Sequence, residues 1–103
     1  MRYLSKNSSK FEDIFVEEKW DKLKILEEIR ERIDEEVNAI NKYDEMVHNI
    51  DNELIKDALK HISLEEKMHL TELYELLKIF DVEQRSSEKE AIEDVEELKA
   101  EHE

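Results

Sequence analysis

No glycine and no proline occurs anywhere in this chain of 103 residues. These are the residues that most strongly interrupt regular backbone, so their absence predicts long unbroken helices. Charged residues make up 45% and hydrophobic residues 39%, a balance that fits helices better than sheets. Few segments show the β-branched alternation a strand needs. The length allows one small domain. A chain of this size has much surface for its volume, and a helical hairpin alone leaves one apolar face wet. Association is therefore expected before any motif is considered.

The helices can be placed from their apolar spacing. Residues 1–9 are polar and read as a flexible N-terminus. Ser9 with Glu12 resembles a capping box, and Phe11, Ile14 and Phe15 give the following arm something to dock with. A first helix with this arm is assigned to 10–50, with its periodic part from Trp20 onward. Its seam reads Leu26, Ile29, Ile33, Glu36, Ile40, Tyr43, Val47, Ile50, in alternating steps of three and four. "NIDNE" at 49–53 is the one good break, where Asp51 or Asn52 can cap the next helix. The second helix, 52–80, carries the seam Ile55, Leu59, Ile62, Glu66, His69, Leu73, Leu76, Phe80. "DVEQRSS" at 81–87 reads as a loop, and Ser87 with Glu90 as the start of a short third helix over 87–101. Ala91, Ile92, Val95 and Leu98 mark its apolar face.

Net charge is −14, a surface that repels nucleic acid and anionic membranes and attracts cations. No apolar run approaches the length of a membrane span, and "MRYLSKNSSK" lacks the apolar centre of a signal peptide. A cytoplasmic location is the expectation. Cysteine is absent, which excludes disulfides and thiolate metal sites.

The sixteen seam positions hold three ionisable residues besides tyrosine: Glu36, Glu66 and His69. Glu36 lies fifteen residues before Asp51 and Glu66 fifteen after it. An antiparallel hairpin centred there sets both at one height, about 22 Å from the turn at 1.5 Å per residue. His69 is one turn further on. Buried unpaired carboxylates cost on the order of several kcal/mol each, and a bound cation offsets that cost. Glu and His together suit iron, manganese or zinc. Glu-x-x-His puts both side chains on one metal, as in ferritin-like bundles. Such bundles use one Glu from each of two helices and Glu-x-x-His from each of two more, so this chain supplies half a di-metal site. Two copies supply the whole set, and their four carboxylates balance two divalent cations. The fold expected is thus all-α: an antiparallel two-helix hairpin plus a short C-terminal helix, pairing as a dimer into a four-helix ferritin-like bundle. Glu45 and His48 also form Glu-x-x-His, but fall on the outer face.

"EEVNAINKYDEM" (35–46) and "SLEEKMHLTELYELL" (63–77) resemble the two helices of the encapsulated ferritins, half-ferritins packaged inside encapsulin shells. The similarity covers about residues 23–84 and includes the thirty-residue step from Glu36 to Glu66. It implies that Glu36, Glu66 and His69 bind iron between two subunits, one di-iron site per dimer. It implies a ferroxidase that oxidises Fe(II) to Fe(III), with Tyr43 as an aromatic residue close to the metal. It also implies dimers joined into a ring such as a decamer, within an encapsulin nanocompartment. Glu35 matches an acidic position that guides iron toward the site, whereas Asn38 stands where another carboxylate can occur. The final "ELKAEHE" does not resemble the Gly-containing apolar tail that docks cargo, which leaves trimming, fusion to a shell or another fate open.

Two other functions fit the same residues. One is a non-catalytic helical dimer whose Glu and His layer fixes register or holds a structural metal. The other is a rubrerythrin-like peroxide reductase, which would need an outside electron donor because the chain has no cysteine for a rubredoxin-type iron centre. His48, His61 and His102 read as solvated, Trp20 as packing beside the seam, and Leu64 with Met68 as outer-face apolar residues. The acidic stretch 88–103 reads as a solvated helix.

Overall fold

The structure, a computed structural model, describes residues 19–103. Three helices follow one another: α1 (Lys22–Asn49), α2 (Glu53–Phe80) and α3 (Val82–Glu101). Each begins at a short polar side chain that accepts a hydrogen bond from the first turn. Asp21 takes the Lys24 N–H at 2.9 Å, Asn52 the Ile55 N–H at 3.0 Å, and Asp81 the Gln84 N–H at 3.2 Å. Helix ends usually place a glycine in the left-handed region. Without glycine, α1 and α2 end instead on extended residues, Ile50 and Asp81, and no described residue has positive φ.

Two assignments made from spacing alone need correction. Residues 19–21 are not helical and Asp21 caps α1, so the long periodic helix begins at Lys22 rather than at Trp20. The arm with Ser9, Glu12, Phe11, Ile14 and Phe15 lies outside the described residues. The segment 81–87 is not a loop. Asp81 caps α3 six residues earlier than Ser87 would, and its own N–H closes α2 on the Leu77 carbonyl at 2.8 Å. Ser86 and Ser87 sit inside α3 and return their hydroxyls to the Glu83 carbonyl. That back-bonding is how a serine tolerates a helix interior.

α1 and α2 form an antiparallel hairpin about 42 Å long. Its core is Leu26, Ile29, Ile33 and Leu77, with Leu70 and Leu73 packed against them. The face of α2 turned toward α1 runs Leu59, Ser63, Glu66, Leu70, Leu73, Leu77. The seam expected for α2 shares Leu59, Glu66 and Leu73 with this face. Its other members lie to one side: Ile55, His69, Leu76 and Phe80 are exposed and Ile62 is half-buried. The apolar stripe is thus wider than one partner helix can cover. At the end away from the turn, Ile25, Leu26, Ile29, Leu76 and Phe80 line an open apolar cleft of about 380 Å³.

α3 buries no side chain, and Ile92, Val95 and Leu98 are exposed. Its direction is set by the one-residue junction at Asp81, which Arg30 of α1 grips at 2.7 Å, and by Lys78–Glu88 at 2.7 Å. The radius of gyration is 19.3 Å, against about 13 Å for a compact domain of 100 residues. The described residues do not enclose their own apolar surface.

Candidate metal centre

The hairpin brings Glu36, Glu66 and His69 together. One ligand atom from each lies within 4.8 Å of the others, although Glu36 is thirty residues from Glu66. Both helices place them: Glu36 follows Ile33 on the inner face of α1, and Glu66 precedes Leu70 on the inner face of α2. His69, one turn beyond Glu66, stands on the open flank with its side chain 46% exposed. The group therefore has a covered side within the hairpin and an uncovered side at His69.

The geometry inside the group is that of separated ligands. His69 Nδ1 lies 4.0 Å from Glu66 Oε1, too far for a hydrogen bond. Two atoms that bind one metal at about 2.1 Å each can stand up to about 4.2 Å apart, so a cation fits between them. Glu36 Oε2 is buried and has no hydrogen-bond partner. Buried carboxylate oxygens are normally satisfied, and this carboxyl group lies beside two other metal-ligating side chains. The Glu36 pKa is raised, first by a hydrogen bond shared with Glu66, then by burial and the Glu66 charge, with His69 opposing weakly. Each of the first three causes disfavours a second negative charge beside Glu66.

The other expected residues are placed as follows. Tyr43 is half-buried on the α1 seam, seven residues and about 10 Å nearer the turn than Glu36. Glu35 is exposed on the adjacent face, and Arg32 Nε holds it at 2.8 Å. An iron path through Glu35 must displace or pass that guanidinium. Glu45 and His48 are exposed and belong to no cluster of metal-ligating groups among the described residues.

A second acidic cluster was not singled out from the sequence: Glu27, Glu28 and Glu31 on α1. Its only signal is acidic residues at i, i+1 and i+4 of one helix, which is common in so charged a chain. It already holds cations of its own. Lys24 reaches Glu27 and Glu28 at 3.5 and 3.3 Å, and Arg32 reaches Glu28 and Glu31 at 3.7 and 3.5 Å. The Lys24 pKa is raised, chiefly by its hydrogen bond to Glu28 and then by the Glu27 charge. Ser63, the one buried polar residue among those described, was also missed, because the seam was drawn through its neighbour Ile62.

A crystal structure of the encapsulated ferritin domain from Pyrococcus furiosus superposes with a TM-score of 0.77 and 33% sequence identity, over 82% of this chain and 87% of that one. The chain belongs to the encapsulated-ferritin family. A second relative of this encapsulated ferritin is the encapsulin nanocompartment cargo protein EncC of Myxococcus xanthus (strain DK1622), 40% identical over 65 residues. The match takes in 63% of this chain and 50% of EncC, so the chain spans about half the length of that relative. No family model matches the chain. The structural likeness accords with the all-helical architecture. No helix among the described residues is long and apolar enough to cross a membrane.

Proposed function

We propose that this encapsulated ferritin is a ferroxidase. Two copies pair across the open flank of the hairpin, and their Glu36, Glu66 and His69 side chains bind two Fe(II) substrate ions, one di-iron site per dimer. The buried, unpartnered Glu36 Oε2 carries the proposal. A hairpin that leaves a carboxylate oxygen without a hydrogen bond, beside a second carboxylate and an imidazole, is built for a cation. The exposed flank of Ile55, Leu76 and Phe80 beside His69 supports completion by a second copy.

Charge and electron accounts agree with this reading. Each chain brings two carboxylates, so two chains offset the charge of two divalent ions. Oxidation of two Fe(II) releases two electrons, which reduce dioxygen and two protons to hydrogen peroxide. The carboxylates favour Fe(III) over Fe(II) because negative ligands stabilise the higher charge. The two Glu66 carboxylates would serve both ions, while each Glu36 and His69 would complete the ligand set of one. Tyr43 stands two turns away as an electron or hydrogen-bond donor.

The relatives named for encapsulin extend the reading. Dimers join into a larger ring such as a decamer, and the oxidised iron is delivered inside an encapsulin shell in the cytoplasm. Aerobic oxidation at one Fe(II) per subunit, followed with size-exclusion mass, tests the core of the proposal. A species of dimer size or larger that oxidises iron well above the buffer rate supports it. An intact oligomer with no oxidation points to a helical dimer whose Glu and His layer only sets register. Turnover of peroxide alone, with an added donor, points to peroxide reduction.

A further inference from the structure

Glu36 and Glu66 stand on different helices, so their convergence depends on how close α1 and α2 lie and how they are aligned along their length. Ligand sets hold a metal only when placed to within about 0.5 Å. Away from the turn, the buried residues Leu26, Ile29, Ile33 and Leu77 fix the spacing. Toward the turn the packing is thinner. Ile40, Tyr43 and Val47 of α1 are only half-buried, and Leu59 is the one buried apolar residue of α2 there. Apolar contacts of that kind are non-directional.

Ser63 lies on this weaker side, one turn before Glu66, and is 3% exposed, more buried than any described residue except Leu77. Its Oγ donates a 3.1 Å hydrogen bond to Asp44 Oδ1, across the hairpin and two turns along α1 from Glu36. A serine at a position where the stripe continues with Leu70 and Leu77 removes bulk between the helices. It also replaces a non-directional contact with a directional hydrogen bond.

We infer that Ser63 and Asp44 are a positioning pair for the metal group: the small side chain sets the approach of the two helices, and the hydrogen bond sets their alignment where Glu36 must meet Glu66. The inference rests on the reading of Glu36, Glu66 and His69 as metal ligands.

Anaerobic titration of the full-length oligomer with Co(II), read by its visible absorption, tests it, with Tm recorded for every variant. Ser63→Ala is expected to raise the Co(II) Kd about tenfold, the range found for residues that orient ligands, and to alter the Co(II) spectrum. Asp44→Ala, on an exposed residue that threatens folding less, is expected to do the same. Asp44→Asn keeps an acceptor oxygen and is expected to stay within about threefold of the parent, since the hydrogen bond survives. Asn52→Ala removes the α2 cap near the turn and serves as the stability control. It is expected to lower Tm while leaving Kd and spectrum unchanged. Parental Kd and spectrum in both alanine variants at 44 and 63 overturn the inference, as does an equal loss of affinity in Asn52→Ala. Failure of the parent protein to take up Co(II) overturns the metal reading itself and this inference with it. That outcome is told apart because it precedes any substitution.

Discussion

Among the described residues stand two clusters of three metal-ligating side chains, and they differ in what surrounds them. Glu27, Glu28 and Glu31 share one helix, Glu27 and Glu31 exposed and Glu28 half-buried, and are already paired with Lys24 and Arg32. Glu36, Glu66 and His69 come from two helices and are partly covered, and no lysine or arginine pairs with them within 4 Å among the described residues. The first cluster is balanced by the helix that carries it. The second is left with uncompensated charge and an unsatisfied oxygen. Proximity of carboxylates is therefore not the mark of a metal site in an acidic protein. The mark is a fold that brings carboxylates together and withholds the counter-ion.

The largest test of that contrast removes one acid from each cluster. Glu66→Ala is expected to lower the Fe(II) oxidation rate by more than about a hundredfold, since loss of a ligand exceeds the 10–100-fold typical of its supporting partners. Glu28→Ala is expected to leave the rate within about twofold, as surface substitutions do. Equal losses in stopped-flow oxidation would erase the distinction between the clusters.

A second test uses pH. The folded pKa of Glu36 lies above its usual 4.5, so the folded state holds that proton more tightly than the unfolded chain. The associated stability is complete below pH 4.5 and is lost as pH rises through the folded value. Metal-free Glu36→Gln lacks this loss. It is expected to melt about 3 °C above the parent at pH 7, with no advantage near pH 4. Metal should reverse the order at neutral pH, because only the parent binds it. Thermal scans with and without Co(II) read both signs.

Smaller effects belong to the balanced side of the molecule. Arg32→Gln leaves Glu28 and Glu31 without that partner and frees Glu35. Stability should change by no more than about 0.5 kcal/mol, as for other exposed ion pairs. Cation binding at Glu28 and Glu31 should stay in the millimolar range by calorimetry, and a tight new site would show that charge alone suffices. The smallest effect concerns α3. The Asp81 pKa is lowered from 3.8, chiefly by the Gln84 N–H and then by Arg30. The stability it contributes is present above pH 3.8 and is lost as pH falls through the lower folded value. A modest loss of helical circular dichroism below that pH, absent in Asp81→Ala, is the expected reading.

Much of this was legible in the sequence because helical spacing is a local property. The alternating steps from Leu26 to Ile50 and from Ile55 to Phe80, with a break at 49–53, announce two helices of equal length. Equal distances from Asp51 level Glu36 with Glu66, and the structure brings them together with His69. The start of α3 was misread because both Asp81 and Ser87 can cap a helix. The choice between them turned on Arg30, 51 residues away, which holds Asp81 at the junction.

The sequence alone determined that the chain is helical, where its two long helices run and which three side chains share a layer. Those features follow from backbone propensity and from a period of 3.6 residues. Tertiary structure decided which part of a wide apolar stripe faces the neighbouring helix. Spacing assigned Ile62, His69 and Leu76 to one seam. Packing instead turned Ser63, Leu70 and Leu77 toward α1 and left His69 on the open flank. A rotation of one residue about the α2 axis separates the two choices. Only contact between side chains from both helices fixes that rotation, because each helix by itself is equally regular in either orientation.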